Sequence, residues 1–515
     1  MKPHIPIFLI SLILTCICSI TACTQITPEA LSRTLSEITN INKAAVTQFY
    51  SRLNYEAVWF RRANTNNREL LLYTLSQSPE FGLREKDYQY NYFDLLRNRN
   101  YLLQNIEDSL QAEIRFTDAA LHVYSDIAYG NEKPALGYNG LNYKPGCQDI
   151  PALLVEHIEK NRLPSLPGYL SPVLPEVKAI ALRLRWIQFE ISDSSYREII
   201  ITSKKVNAGN KPLITKLYQL GVTTSVSDSI PDSLLVQQVK EAQRQFCLLA
   251  DGVLRSSTLQ ELNVPLKARL QQLTVSLNYY RWLHCLTQNQ SVIVVNIPAA
   301  YLKVYRNNEV LLNMRMVVGK KSTPTPTLTS KIDEVILYPY WHVPYSIATK
   351  ELLPILKRNP GYINTGNYQV LNRAGKIIDP YSVNWEALSA TNFPYLIRQS
   401  TGCDNALGLL KLNFYNPFGV YLHDTNNKKT FMLNKRYFSH GCMRMQKPME
   451  LGHLILENNA IAIDTLNQKG CLRNQSPITV PANIQMPVIV WYNPAGIDSA
   501  GRVLFYEDVY KKFSR

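Results

Sequence analysis

The segment Gly419-Val420-Tyr421-Leu422-His423-Asp424-Thr425 is followed by Ser439-His440-Gly441-Cys442-Met443-Arg444, with fifteen residues between His423 and Ser439. A cysteine attacks a carbonyl carbon only as its thiolate, so a neighbouring base or cation must favour that form. His423, at the end of an apolar run, is the candidate base for Cys442. Gly441 lets the backbone pass close to a substrate, and the N–H groups of Gly441 and Cys442 are candidate donors to a developing oxyanion. A third group should hold the imidazole in one tautomer, as in catalytic triads. A cysteine alone is usually inert and a histidine on a strand usually structural; the chemical reading rests on the two together.

These residues need a rigid frame, and the sequence around them reads as strands. Val292-Ile293-Val294-Val295-Asn296-Ile297 and Tyr301-Leu302-Lys303-Val304-Tyr305 are β-branched and aromatic runs, and a turn at 306–309 leads into residues 310–319. Residues 334–337, 409–414, 419–422, 488–492 and 502–506 complete the set. Between about 345 and 400 the pattern breaks into a helical and loop-rich piece, including 350–357 and 362–372, which reads as an insertion. Residues 46–215 are mainly helical by their i, i+3, i+4 apolar spacing. Residues 232–285 read as helix, Asp251-Gly252 turn, then further helix. His122, His157, His284, His342 and His453 read as structural.

The chain has 515 residues, 46% of them hydrophobic and 18% charged, which excludes a disordered or collagen-like protein. That length predicts about three globular units. Mean hydropathy is −0.16 and the one long apolar run is N-terminal, so a polytopic membrane protein is excluded. The net charge of +15 suggests an anionic partner, cell-wall polymer or anionic lipid headgroups; a dispersed solvated face is the alternative. No Lys/Arg block has the length of a nucleic-acid patch. No spacing of ligands suggests zinc and no loop suggests a phosphate, so no cofactor is expected.

The N-terminus runs from Met1-Lys2-Pro3-His4 through an apolar stretch to Thr21-Ala22-Cys23, the order of a secretory leader. Ile20-Thr21-Ala22-Cys23 resembles a bacterial lipobox, which implies lipidation of Cys23 and anchoring on the periplasmic side; an ordinary cleavage site is the alternative. Cys16 and Cys18 leave with the leader. With Cys23 and Cys442 set aside, Cys147, Cys247, Cys285, Cys403 and Cys471 remain, an odd number, so disulfides are possible but at least one is expected to stay unpaired as a small buried apolar residue.

The histidine followed by Ser-His-Gly-Cys-X-Arg resembles the signature of the L,D-transpeptidase catalytic domain, also called YkuD. The YcbB-like subgroup is similar over roughly residues 230–510, through "VNIPAAYLKVY", "YPYWHVPYSIATKELLPILKRNPGY", "IRQSTGCDNALGLLKLNFYNPFGVYLHDT" and "SHGCMRMQKP". Weaker likeness appears in "NYEAVWF" and "FGLREKDY", and residues 246–263 resemble a peptidoglycan-binding-like three-helix module, with Ser256 about where that family has a second glycine. The resemblance implies a multidomain α+β protein: leader 1–22, tether 23–45, helical scaffold 46–231, peptidoglycan-binding-like module 232–287, and a mainly β YkuD-type catalytic domain 288–515 with a capping insertion at about 345–400.

It also implies acyl transfer between peptidoglycan stem peptides, donor and acceptor, forming 3→3 cross-links through a thioester on Cys442, and acylation of Cys442 by β-lactams of the carbapenem class. By the same resemblance His423 is the base, the Asp424 carbonyl orients it, His440, Gly441 and Arg444 shape the oxyanion site and bind substrate with Ser439, and Tyr421 and Trp341 line the donor groove. Cys403 stands where the family has a proline, and Leu412 where it has a phenylalanine. Trimming of stems by hydrolysis, as an L,D-carboxypeptidase, and a non-catalytic wall-binding lipoprotein are the rival readings.

Overall fold

In the computed structural model, which describes residues 26–60, 65–98, 103, 105–225, 230–457 and 461–513, the chain divides into two compact units. Residues 1–25, with the leader and Cys23, lie outside the described residues. No helix among the described residues is long and apolar enough to cross a membrane.

The first unit is helical and comprises residues up to 75, 86–122 and 150–164. Residues 28–37, expected to belong to a tether, form a helix instead. Thr27 caps it, Pro28 opens it, and Leu31 and Leu35 bury one face at i, i+4 spacing. The unit is organised around a buried carboxylate. Glu113 accepts N–H bonds from Val58 at 2.6 Å, Trp59 at 3.0 Å and Phe60 at 3.0 Å, and a hydroxyl bond from Tyr50 at 3.0 Å. Thr117, one turn along the same helix, takes the Trp59 indole N–H at 2.8 Å. The "AVWF" loop has no secondary-structure partner for these amides, so one side chain supplies the acceptors they need.

The second unit comprises residues 76–85, 123–149 and 165 onward. Its helices Pro175–Ser192 and Leu266–Gln288 pack against each other and share a core with Trp491 and Phe505. Helices Asp232–Gln245, Ser256–Leu262 and Leu266–Gln288 follow one another around the Asp251-Gly252 turn, where Gln243 accepts from Gly252 N–H at 2.8 Å and donates to Asp251 at 3.0 Å. Ser256 begins the second of these helices.

The β part is a mixed sheet. In chain order its strands are β1 (Tyr138–Asn139), β2 (Val292–Asn296), β3 (Tyr301–Arg306), β4 (Glu309–Gly319) and β5 (Leu328–Leu337). The chain then leaves the sheet for a subdomain with a small sheet of its own, β6 (Trp341–His342), β7 (Tyr368–Leu371), β8 (Ile377–Ile378) and β9 (Leu396–Gln399), ordered β6-β9-β7-β8. It returns as β10 (Leu410–Phe414), β11 (Leu422–His423), β12 (Tyr437–Ser439), β13 (Met443–Met445), β14 (Ile478–Pro481) and β15 (Pro487–Trp491), and ends with the hairpin β16 (Ala495–Ile497) and β17 (Val503–Phe505). The main order is β1-β5-β10-β11-β13-β4-β3-β2-β15, with β15 also pairing β5, so this path closes on itself. Its core is Val295, Leu302, Met316, Leu412, Leu422, Met443 and neighbours. The protein is a multidomain α+β chain.

The insertion departs from the sequence reading in one respect. It holds four short strands as well as helices, and residues 368–371, placed in a helical segment, are a strand. Strands of two to four residues carry too few alternations for a period of two to stand out. The insertion has its own core around Leu356, Ile363, Val370, Trp385 and Ile397.

Removing the Glu113 carboxylate would strand the buried amides of Val58 and Trp59 and the partly buried amide of Phe60. Glu113→Ala should therefore destabilise the first unit by about 3 kcal/mol, read as a lower denaturation midpoint by circular dichroism; an unchanged midpoint would refute the role given to this carboxylate.

Candidate active site

Register decides which side chains meet. Lys411 pairs with His423 across β10 and β11, and His423 pairs with Arg444 across β11 and β13. Residues paired on adjacent strands project to the same face. Lys411, His423 and Arg444 therefore form one row, with the imidazole between two cations. Two residues back, just before β11 and β13 begin, Tyr421 lies beside Cys442 on that face, and the Met443 N–H donates to the Tyr421 carbonyl at 3.0 Å. The Tyr421 and His423 rings are 5.6 Å apart, edge to face.

His423 is 4% exposed, and its Nδ1 lies 2.5 Å from the carbonyl oxygen of Asp424. A carbonyl only accepts, so Nδ1 carries the proton and Nε2 is left with the lone pair. Burial, followed by the charges of Arg444 and Lys411, pushes the imidazole down to about 3, while the Asp424 bond works in the opposite direction. The ring is thus neutral at ordinary pH, with its Nε2 lone pair free to accept a proton.

Cys442 is half-buried. Burial raises its thiol, opposed by hydrogen bonds from the main chain and hydroxyl of Tyr421 and by the charges of Lys411 and Arg444. The Tyr421 hydroxyl also bonds Trp341, and Lys411 Nζ sits 4.1 Å over the Tyr421 ring. The sulfur's hydrogen-bond partner is therefore Tyr421, while His423 is its diagonal neighbour. At rest the pair is thiol and neutral imidazole, not thiolate and imidazolium.

The turn that presents Cys442 is tied down from several sides. Ser439 Oγ donates to the Cys442 carbonyl at 2.5 Å and accepts from Gly441 N–H at 3.2 Å. The Gly441 amide, expected to face an oxyanion, is thereby committed inside the turn, and Ser439, expected to touch substrate, is 3% exposed. Thr325 Oγ1 donates to the Gly441 carbonyl at 2.8 Å, and Thr323 Oγ1 donates to the Ser439 carbonyl at 3.1 Å. Gly441 has φ +122, a conformation that side chains disfavour. Upstream, the buried Arg436 guanidinium donates to carbonyls of Met316, Leu433, Asn434, Ala299 and Ala300, which fixes the loop between β11 and β12.

Asp424 is also held by its side chain. Its carboxylate accepts from Leu409 N–H at 3.0 Å and pairs with Lys428. Gly408 makes room for it, since a Cβ there would lie 2.3 Å from the carboxylate oxygen. The imidazole of His440 is partly exposed, and its Nε2 lies 2.8 Å from Glu351 Oε1 of the insertion. Trp341 lies at the root of that insertion, on β6, and reaches back to Tyr421.

Lys411 and Glu351 were not foreseen. Lys411 could have been read from the alternation of Leu410-Lys411-Leu412-Asn413-Phe414, which puts a lysine on the polar face of a strand paired with the His423 strand. Glu351 carries no local signal. Disulfides join Cys147 to Cys285 and Cys403 to Cys471, with Cα atoms 5.4 and 5.2 Å apart. Cys403 thus has a covalent reason to stand where a proline was expected. Cys247 is the unpaired residue, and it is exposed rather than buried. Cys147, His284 and Cys285 come within 4.8 Å of one another, yet the two sulfurs are bonded together and are not thiolate ligands. A separate cavity lined by Gln271, Tyr279, Tyr492 and Lys512 includes none of the residues around Cys442.

Residues 290–463 match the L,D-transpeptidase catalytic domain, YkuD, and the match takes in both His423 and Cys442. Residues 290–463 thus form a YkuD-type domain. Residues 44–180 match the Scaffold domain. A curated Haemophilus influenzae protein, provisionally named an L,D-transpeptidase, is 34% identical over 218 residues, which is 42% of this chain and 44% of that one. The chain thus spans under half the length of that relative. Among solved structures, an L,D-transpeptidase from Stackebrandtia nassauensis is similar at 13% identity and TM-score 0.22, covering 58% of this chain and 98% of that chain. LdtMt1, solved in complex with imipenem, is similar at 18% identity and TM-score 0.18, covering 39% of this chain and 58% of that chain.

A YkuD domain with a neutral resting pair has a distinctive pH profile. The imidazole is already unprotonated above about pH 3, so the thiol controls reactivity. Alkylation of Cys442 by iodoacetamide, followed on its own peptide by mass spectrometry, should keep rising beyond pH 8. A plateau below pH 7 would instead reveal a preformed ion pair.

Proposed function

We propose that this protein is a cysteine-dependent L,D-transpeptidase that forms 3→3 cross-links between peptidoglycan stem peptides. The observation that supports this most is that register sets Cys442 diagonally beside a neutral, tautomer-fixed His423 on one face of a sheet, within a YkuD-type domain. In this reading His423 Nε2 takes the thiol proton as Sγ bonds to the donor carbonyl carbon between the third residue, a diamino acid, and the terminal D-alanine. The tetrahedral intermediate collapses, the C–N bond breaks, and the same proton passes from Nε2 to the departing amine of D-alanine. The acceptor's side-chain amine then attacks the thioester, giving its proton to Nε2; the C–S bond breaks and the thiol is regenerated.

Tyr421 supports the developing negative charge better than Gly441 does, because its hydroxyl already faces the sulfur whereas the Gly441 amide is bound to Ser439. Arg444 lies beside the imidazole on the same face, and Trp341 holds the Tyr421 hydroxyl. The insertion, meeting the catalytic turn through Glu351 and His440, serves as the cap of the site. The protein acts after export, on the periplasmic side, anchored through a lipidated Cys23.

Cys442→Ala should reduce turnover of a tetrapeptide donor to background and abolish the covalent mass adduct with a carbapenem, with circular dichroism unchanged; retained turnover would discard the mechanism. Mass spectrometry of membrane-extracted protein should find acyl mass on an N-terminal Cys23, and an unmodified chain would retire the anchor.

A further inference from the structure

The row across β10, β11 and β13 contains two cations that the mechanism above leaves without a counterion. Lys411 and Arg444 stand on either side of His423, both only partly exposed. Among the described residues neither makes an ion pair with a carboxylate, and Arg444 Nε is buried without a hydrogen-bond partner. Glu334, the carboxylate that acts on Lys411 through its charge, is held at 2.5 Å by the amide of Asn413. What Lys411 touches is the face of the Tyr421 ring. Removing a cation from water without giving it an anion is costly, and two such cations beside a nucleophile point to an anion that arrives with the ligand.

We propose that Lys411 and Arg444 form a carboxylate subsite that receives the free C-terminal carboxylate of the donor's departing amino acid. This rests on the acyl-transfer reading and deepens it by naming the side chains that hold the donor's terminal carboxylate. The two strands flanking β11 are roughly 9–10 Å apart, a span that a lysine and an arginine can close from both sides onto the two oxygens of one carboxylate. In the departing amino acid the carboxylate and the amine are attached to the same carbon. A carboxylate held across His423 therefore puts the leaving nitrogen next to the imidazole that must protonate it. The anion also offsets the two charges that depress the imidazole, so His423 becomes a stronger base when a donor is bound.

The test compares two synthetic donors, a tetrapeptide ending in a free carboxylate and its C-terminal amide, on the full-length enzyme, Lys411→Met and Lys411→Arg. The wild type should prefer the acid by about tenfold or more in kcat/KM. Lys411→Met should bring the acid-to-amide ratio close to one and Lys411→Arg should keep most of it; a ratio unaffected by Lys411→Met overturns the subsite. A second measurement does not need turnover. N-acetyl-D-alanine should slow iodoacetamide alkylation of Cys442 in the wild type and not in Lys411→Met, whereas N-acetyl-D-alaninamide should slow it in neither; the Cys442 peptide is followed separately from that of the exposed Cys247. If the wild type consumes neither donor, the function proposed above fails and this protection alone decides the subsite. If Lys411→Met does not fold, equal protection of the wild type by acid and amide refutes it.

Discussion

The site depends on the side-by-side pairing of β11 with β13, which sets a segment from before a long loop against the segment that follows it. His423 and Cys442 are nineteen positions apart in the chain, and register alone brings them to one face. A slip of one residue would turn the sulfur into the core and a core methionine outward. The fold guards against that slip by binding the connection itself: Arg436 gathers five carbonyls, and Thr323, Thr325 and Ser439 hold the turn from outside and within. These residues perform no chemistry, yet each limits where the sulfur can be.

Electrostatics on that face run against the usual picture of a cysteine nucleophile. Two cations beside a thiol would ordinarily favour the thiolate, but burial outweighs them at Cys442, and burial combines with them at His423. In the proposed reaction this gives an unprotonated acceptor at all times and a thiol that must be activated at each turnover. The Asp424 carbonyl is sufficient as the third member because it only has to fix a tautomer; it has no charge to stabilise an imidazolium. That fits a ring which is neutral at rest.

The candidate pair could be read in the sequence because the chemistry proposed for it needs particular residue types at short spacing, His423 ending one apolar run and Cys442 following a glycine. The strands around it were legible for a different reason: runs such as Val292-Ile293-Val294-Val295 have few other ways to be buried. What stayed hidden was of two kinds. Short strands such as β6 and β8 owe their form to neighbours distant in sequence, and so do the contacts of Lys411 with Tyr421 and of Glu351 with His440. Residue types also mislead where one side chain has several uses: Ser439 looks like a ligand contact and is a turn staple, and an unpaired cysteine suggests a core residue whereas Cys247 is exposed.

The protonated sulfur also bears on how this chain survives oxidation. Oxidants and disulfide exchange attack thiolates far faster than thiols. Four cysteines of this protein are joined in two disulfides, and a permanently ionised Cys442 would compete with them for partners during folding and would be drawn into sulfenic acid afterwards. By keeping the thiol protonated, burial favours the reduced form of the cysteine that the proposed reaction needs free.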